Sequence, residues 1–205
     1  MSTPRQHPLN ARLAIIGCAL LLAACGSSPK VEYYRLTPAP GTVTAAPLDL
    51  SLAIGPAQIP RALARSQIVT RSGDNGINVN QYQLWSAPLE SAFLQVLGDN
   101  IARNLQSDRI AVYPGEAAFP LDYRVTLDVL QFDGVPGDSV TLRARWAIAP
   151  PAGEAVAVGS FDAVQKIMGD DTSYTALVAA HSALVGALSA DIVEKLRQLP
   201  TPPSP

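Results

Sequence analysis

Cysteine and histidine are nearly missing from this chain, with two of each in 205 residues. Both cysteines, Cys18 and Cys25, fall near the start, and His7 lies ahead of them, so His181 is the one histidine in the remainder. A disulfide framework is excluded, and a metal centre would have to be assembled from scattered carboxylates around one imidazole. No glycine-rich loop follows a strand and opens a helix, which leaves nucleotide phosphates without a cradle. An excess of basic residues is also lacking. Fifteen Lys and Arg stand against seventeen Asp and Glu, a formal charge of −2, and this argues against nucleic acid, which selects for basic surfaces.

The apolar run at residues 13–24 falls short of the roughly 20 residues that cross a bilayer. Arg5 and Arg12 precede it and Leu22-Ala23-Ala24-Cys25 closes it. A basic start, a short apolar region and small residues before a cut mark a secretory signal, and the cysteine directly after them makes it a bacterial lipoprotein signal. Cys18 is a poorer acceptor, since cutting there leaves only residues 13–17 as the apolar region, below the roughly 7 required. Similarity to lipoproteins implies that the Cys25 thiol takes a diacylglycerol, that residues 1–24 are cut away, and that the new amine is acylated. At about 0.8 kcal/mol per buried CH₂, two or three chains hold essentially permanently. In such proteins an acidic residue after the acylated cysteine favours retention at the inner membrane. Here that position is Gly26, so the expected address is the periplasmic face of the outer membrane.

Losing Arg5 and Arg12 but no acid leaves thirteen basic and seventeen acidic residues, a mature charge of −4. Residues 25–47, with Pro29, Pro38, Pro40 and Pro47, have the composition of a lipidated N-terminus and tether. Within them Val31-Glu32-Tyr33-Tyr34-Arg35-Leu36 is rich in strand formers and can add a short edge strand. As coil, the tether would span about 25 Å root-mean-square. Residues 200–205, four of them proline, read as a disordered tail.

Residues 48–199 are expected to form one α+β domain, an antiparallel sheet with a meander covered by two helices. Strands are expected at 48–54, ending at Gly55-Pro56, then at 67–71 and 77–82 as a hairpin about Asn75-Gly76. Leu89, Phe93, Leu97, Ile101 and Leu105 recur every four residues, which predicts a helix over 88–105 with Ser86 as cap and Pro88 in its first turn. A short apolar stretch follows at 110–113. Leu121, Tyr123, Val125, Leu127 and Val129 alternate with polar residues, and the parity slip at Leu130 and Phe132 predicts a β-bulge. Strands at 140–148 and about 155–168 complete the meander. A final helix over 173–199 carries Leu177, Leu184, Leu188, Ile192, Leu196 and Leu199 on one stripe.

Few side chains suggest chemistry. His181 sits one turn from Leu177 and Leu184, where a packed core histidine is expected, because no nucleophile or orienting partner is placed near it. Asp170 and Asp171 lack the spacing of a calcium loop and read as acids at a helix N-terminus. Trp85 reads as a core anchor. Arg61, Arg65 and Arg71 lie within eleven residues of each other and stand either as a surface for a partner or lipid headgroups, or as solvated arginines.

The blocks Ile54-Gly55-Pro56-Ala57-Gln58-Ile59-Pro60, Arg65-Ser66-Gln67-Ile68-Val69-Thr70-Arg71 and Trp85-Ser86-Ala87-Pro88-Leu89, behind the lipoprotein signal and Tyr33-Tyr34-Arg35-Leu36, resemble the PqiC family of ABC-type transport auxiliary lipoproteins. These accompany MCE proteins in the PqiABC system. The resemblance implies a non-enzymatic subunit without cofactors, at the outer-membrane end of a machine that moves lipid or other apolar cargo, docking a periplasm-spanning MCE-domain partner. A ring-shaped partner favours a homo-oligomeric ring of these domains. Two alternatives remain: a stand-alone periplasmic lipoprotein that shields an acyl chain between sheet and helices, and a periplasmic hydrolase built on His181.

Overall fold

Alternation of apolar and polar residues runs longest between Tyr123 and Val135, and the strand it builds is the spine of the molecule. The computed structural model describes residues 29–40, 45–169 and 171–199; Cys25, Gly26, Asp170 and the 200–205 tail lie outside them. The chain order is β1 (Glu32–Tyr34), β2 (Leu52–Gln58), β3 (Gln67–Ser72), β4 (Gly76–Trp85), α1 (Leu89–Leu105), β5 (Ile110–Val112), β6 (Tyr123–Val135), β7 (Ser139–Ala149), β8 (Ala157–Lys166) and α2 (Tyr174–Gln198). Residues from Val31 on form one unit, and two helices on a sheet give the expected α+β class.

The sheet is mixed, which corrects the antiparallel expectation. β6 pairs antiparallel with β7, and β7 with β8. On its other side β6 runs parallel to β2 along its first half and meets β3 in parallel near its end, at Thr70 and Gly134. β2 is also parallel to β5, and β1 to β4. Periodicity of two shows which face of a strand is dry but carries no direction. The parallel pairs that β5 and β6 make with β2 and β3 arise because α1 carries the chain across one face before it returns as β5 and β6.

Two local expectations also change. The strand expected to stop at Gly55-Pro56 runs through them to Gln58, because the register against β6 shifts between Ile54 and Ala57. Gly55 adopts φ 107 there, in the left-handed region where a side chain is strained, and the shift takes Pro56 out of the ladder. Ser86 does not cap α1. Pro88 holds the N-cap position without a side-chain cap, and the Ser86 N–H donates instead to the Tyr34 carbonyl at 2.7 Å. Ser173 does cap α2, its hydroxyl accepting from Ala176 N–H at 3.1 Å. The bulge in β6 falls between Val129 and Gln131, as the parity slip predicts.

The short edge strand expected within residues 31–36 forms, and the residues after it up to 40, read from composition as tether, are folded as well. β1 adds to the sheet edge beside β4. Leu36 is then buried, Thr37 N–H donates to Ser182 Oγ at 3.1 Å, and Ala39 N–H donates to Asn100 Oδ1 at 3.0 Å. The chain thus crosses both helices. Gly186 permits the approach, since a Cβ there would sit 2.6 Å from that of Ala39. α2 is long and apolar enough to cross a membrane by length and composition, yet Leu177, Val185, Leu188 and Ile192 on it are fully buried against the rest of the fold.

Where sheet and helices meet, four rings interlock edge to face. Phe93 of α1 lies 5.3 Å from Phe132 of β6, Phe132 lies 4.7 Å from His181 of α2, and His181 lies 5.7 Å from Trp85 of β4. T-shaped contacts of this kind add to the burial each ring already contributes.

Candidate docking surface

Between β2 and β3 the chain makes a tight turn whose shape follows from one apolar residue. Leu63 is buried, and its N–H donates to the Pro60 carbonyl at 2.8 Å, while Arg65 N–H donates to the Leu63 carbonyl at 2.8 Å. Anchoring Leu63 leaves Arg61 and Arg65 exposed on the outside of the turn. Neither joins an ion pair among the described residues. Beside them is a recess of about 430 Å³, lined by Arg65 and Ser66 on one wall and by Trp85, Ala87 and Pro88 on the other. Trp85 N–H donates to the Ser66 carbonyl at 2.7 Å, which locks the two walls together. These walls are the Arg65-Ser66 and Trp85-Ser86-Ala87-Pro88-Leu89 blocks singled out in the sequence.

Arg71 does not join this surface. It lies further along β3, its Nε 3.1 Å from Asp133 Oδ1 and its Nη2 donating to Thr141 Oγ1 at 3.3 Å. Asp133 is only 16% exposed, so this guanidinium clamps β3 to β6 and β7. Nothing in the spacing of the three arginines separates Arg71 from the others, because its partners are supplied by strands far along the chain.

On the face of the sheet away from the helices, Gln58, Asp128, Arg145 and Ser160 line up across four strands. A recess of about 700 Å³ opens over them, with Pro56 and Val158 on its rim. Arg143 and Asp162 pair at 3.0 Å in the next row. The alternation in β7 foretold a wet face. Val158, 72% exposed, is an apolar residue on it that periodicity alone did not single out.

His181 is fully in the core. Its Nδ1 lies 2.8 Å from the Leu177 carbonyl, and since a carbonyl only accepts, Nδ1 carries the proton. Burial pushes the imidazole down to about 4, against the weaker pull of the Leu177 and Phe132 carbonyls and of Asp133. Between that value and the ordinary 6.5, the unfolded chain binds a proton that the native state refuses. Stability therefore falls as pH drops from about 6.5 to about 4, by about 3 kcal/mol in all, and this term is absent above 6.5. Urea unfolding of the wild type and His181→Leu across pH 7.5 to 4.5 should show a steeper loss for the wild type. Parallel curves would remove this account of His181.

Asp171 accepts the Ser173 N–H at 2.8 Å just ahead of α2, and bonds from Ser173 hold its carboxyl below the ordinary range. That is the behaviour of a helix N-terminal acid. Among the described residues no group of three or more His, Cys, Asp or Glu could hold a metal ion.

Residues 34–193 match the family described as the ABC-type transport auxiliary lipoprotein component. The chain belongs to that family, which gives it a role in a transport system and association with a membrane. No curated protein matches it significantly. Among solved structures, an uncharacterized protein aligns with a TM-score of 0.66 at 20% identity, covering 82% of this chain and 99% of that one. A Xanthomonas campestris protein of the DUF330 family aligns with a TM-score of 0.66 at 15% identity, covering 82% of this chain and all of its own. Both likenesses support the fold.

Proposed function

We propose that this protein is the lipid-anchored outer-membrane subunit of an MCE-type intermembrane transport system, and that it docks the periplasm-spanning partner at the 61–65 turn. The observation that carries the reading is the pair of exposed, unpaired arginines beside an apolar-walled recess on a chain of net negative charge. Such a spot concentrates positive potential and steers toward an acidic patch. Gly26, a non-acidic residue after Cys25, is consistent with outer-membrane sorting, and several copies around a ring-shaped partner would close with cyclic symmetry.

The protein is read as non-enzymatic, because its one mature histidine is buried, neutral and bonded to backbone. The rival lipid-shielding reading needs space between sheet and helices, and there Phe93, Phe132, Ile101 and Leu142 are packed at 2% exposure or less.

The test is Arg61→Glu with Arg65→Glu in the full chain, leaving Arg71 in place because reversing it would break its pair with Asp133. Capture of the crosslinked MCE-domain partner should fall by about an order of magnitude at low salt, with the gap closing as salt rises. A folded double variant that captures its partner as well as the wild type at every ionic strength would sink this dock.

A further inference from the structure

The ends of the sheet are β1, β5 and β8, and they differ in length. β1 and β5 have three residues each, while β8 runs for ten, and among the described residues no strand pairs with its outer edge. Short length, a bulge, a proline or a free charge is what keeps an edge strand from pairing with another chain. β8 has none of the first three, since it matches β7 residue for residue from Ala157 to Lys166 and contains no proline. Its two charges are committed. Asp162 pairs with Arg143 of β7 at 3.0 Å, and Lys166 with Asp138 at 2.9 Å.

The Ile167 N–H donates to the Asp138 carbonyl at 2.8 Å, which sets the phase of the ladder. Ala157, Gly159, Phe161, Ala163 and Gln165 turn their backbone groups to β7, and Val158, Ser160, Asp162, Val164 and Lys166 turn theirs to the open edge. These last five also carry their side chains on the face away from the helices, because Ser160 and Asp162 lie level with Arg145 and Arg143. Val158 is 72% exposed there and Val164 56%.

Run antiparallel to a second copy of itself, this edge fits in one register. With Phe161 opposite Phe161 of the second copy, Val158 falls opposite Val164 and Ser160 opposite Asp162, and each of these pairs occurs twice. Centring on Asp162 would set like charges against each other, and centring on Ser160 would set Val158 against Asp162. On the helix side, Ala176, Ala179 and Ala183 of α2 line a groove of about 300 Å³ with Gln165 and Lys166, so an added strand meets no bulk. Ten residues span about 33 Å, and a sheet with its helix layer is about 20 Å deep. Two copies would bury up to about 1,300 Å² between them, at the lower end of the roughly 1,200–2,000 Å² of specific interfaces.

We propose that two copies of this protein pair antiparallel through β8, joining their sheets into one across a two-fold axis at Phe161. The dyad of such a strand pair is perpendicular to the sheet, so both copies present Val31 at the same height and both tethers can enter one bilayer. β6 and β7 lie between β8 and the strands that flank the 61–65 turn, so the pair does not depend on the dock proposed there. A two-fold contact closes at two copies and cannot repeat into a ring. The pair is therefore the state of protein not gathered around a ring-shaped partner.

The experiment uses cells that produce two differently tagged full-length copies in excess of any partner, with copper phenanthroline as oxidant. In the proposed register residues 158 and 164 of opposite copies have Cα atoms about 5.5 Å apart, within reach of a disulfide, while 158 and 166 are diagonal at about 7–8 Å, beyond it. Val158→Cys on one copy should crosslink to Val164→Cys on the other at least fivefold more than to Lys166→Cys. Equal yields, or none, overturn the pair. Benzophenone maleimide on the Val158→Cys thiol that joins it to a different protein, and not to a second copy, puts another occupant on the edge and overturns it too. Sedimentation of purified full-length protein in detergent supplies a second measurement. Wild type should dimerise with rising concentration, and Val158→Lys with Val164→Lys, at two exposed positions, should weaken dimerisation at least tenfold with an unchanged urea midpoint. Wild type that stays monomeric, or a folded double variant that dimerises equally well, overturns the proposal.

Discussion

Cys25→Ala is expected to abolish attachment outright: the variant accumulates as an uncut precursor, takes up no acyl label and no longer responds to globomycin. On the lipoprotein reading the thiol of residue 25 accepts the diacylglycerol and cleavage follows acylation. Each acyl chain would contribute about 0.8 kcal/mol per buried CH₂, so on that reading the permanence of the anchor hangs on one side chain. The uncut run at residues 13–24 is no substitute, because it falls well short of the roughly 20 residues that span a bilayer. Membrane fractionation and gel mobility provide the readout. A variant processed and membrane-bound like the wild type would remove the lipoprotein signal from this chain, whatever its fold.

Phe132→Ala carries the largest expected cost to the fold. Its ring is 2% exposed and stands between Phe93 and His181, so it joins α1, β6 and α2 at one point. Truncating a buried phenylalanine costs about 3–5 kcal/mol, and a domain has only about 5–15 kcal/mol in total. Leu130→Ala is the matched control two residues upstream. Leu130 is 43% exposed at the bulge in β6, and a surface truncation of that kind stays within about 0.5 kcal/mol. Urea midpoints of the two variants should therefore differ several-fold in their displacement. If both move equally, the ring cluster does not hold the layers together.

The contrast between Leu130 and Phe132 shows how much was legible in the chain alone. Their parity slip announced the bulge, and the four-residue spacing of Leu89, Phe93, Leu97 and Ile101 announced α1 and its buried face. Asn75-Gly76 announced the hairpin, and the Leu177 to Leu196 stripe announced α2 with His181 inside. All of these are local patterns, in which a residue and its neighbours within one or two turns report which side of an element is dry. Arg71 shows where such patterns stop. Beside Arg61 and Arg65 in sequence it looks like a third surface cation, and only Asp133 and Thr141, brought alongside by β6 and β7, make it a clamp.

From the sequence by itself came the two helices with their buried faces, the class of the fold and the family. These depend on composition, local period and short ordered blocks. Tertiary structure decided strand direction, since apolar alternation is the same in parallel and antiparallel pairs. It also carried β2 through Pro56, where a register shift removes the need for the missing N–H. Its largest effect was on the leash. Proline-rich composition marked residues 25–47 as a tether, within which the strand formers at 31–36 already allowed the edge strand that Glu32–Tyr34 makes on β4, but only the folded chain shows Leu36, Thr37 and Ala39 in a groove prepared by Asn100, Ser182 and Gly186. Those partners lie far along the chain, and a segment of weak local preference takes whatever structure distant contacts stabilise.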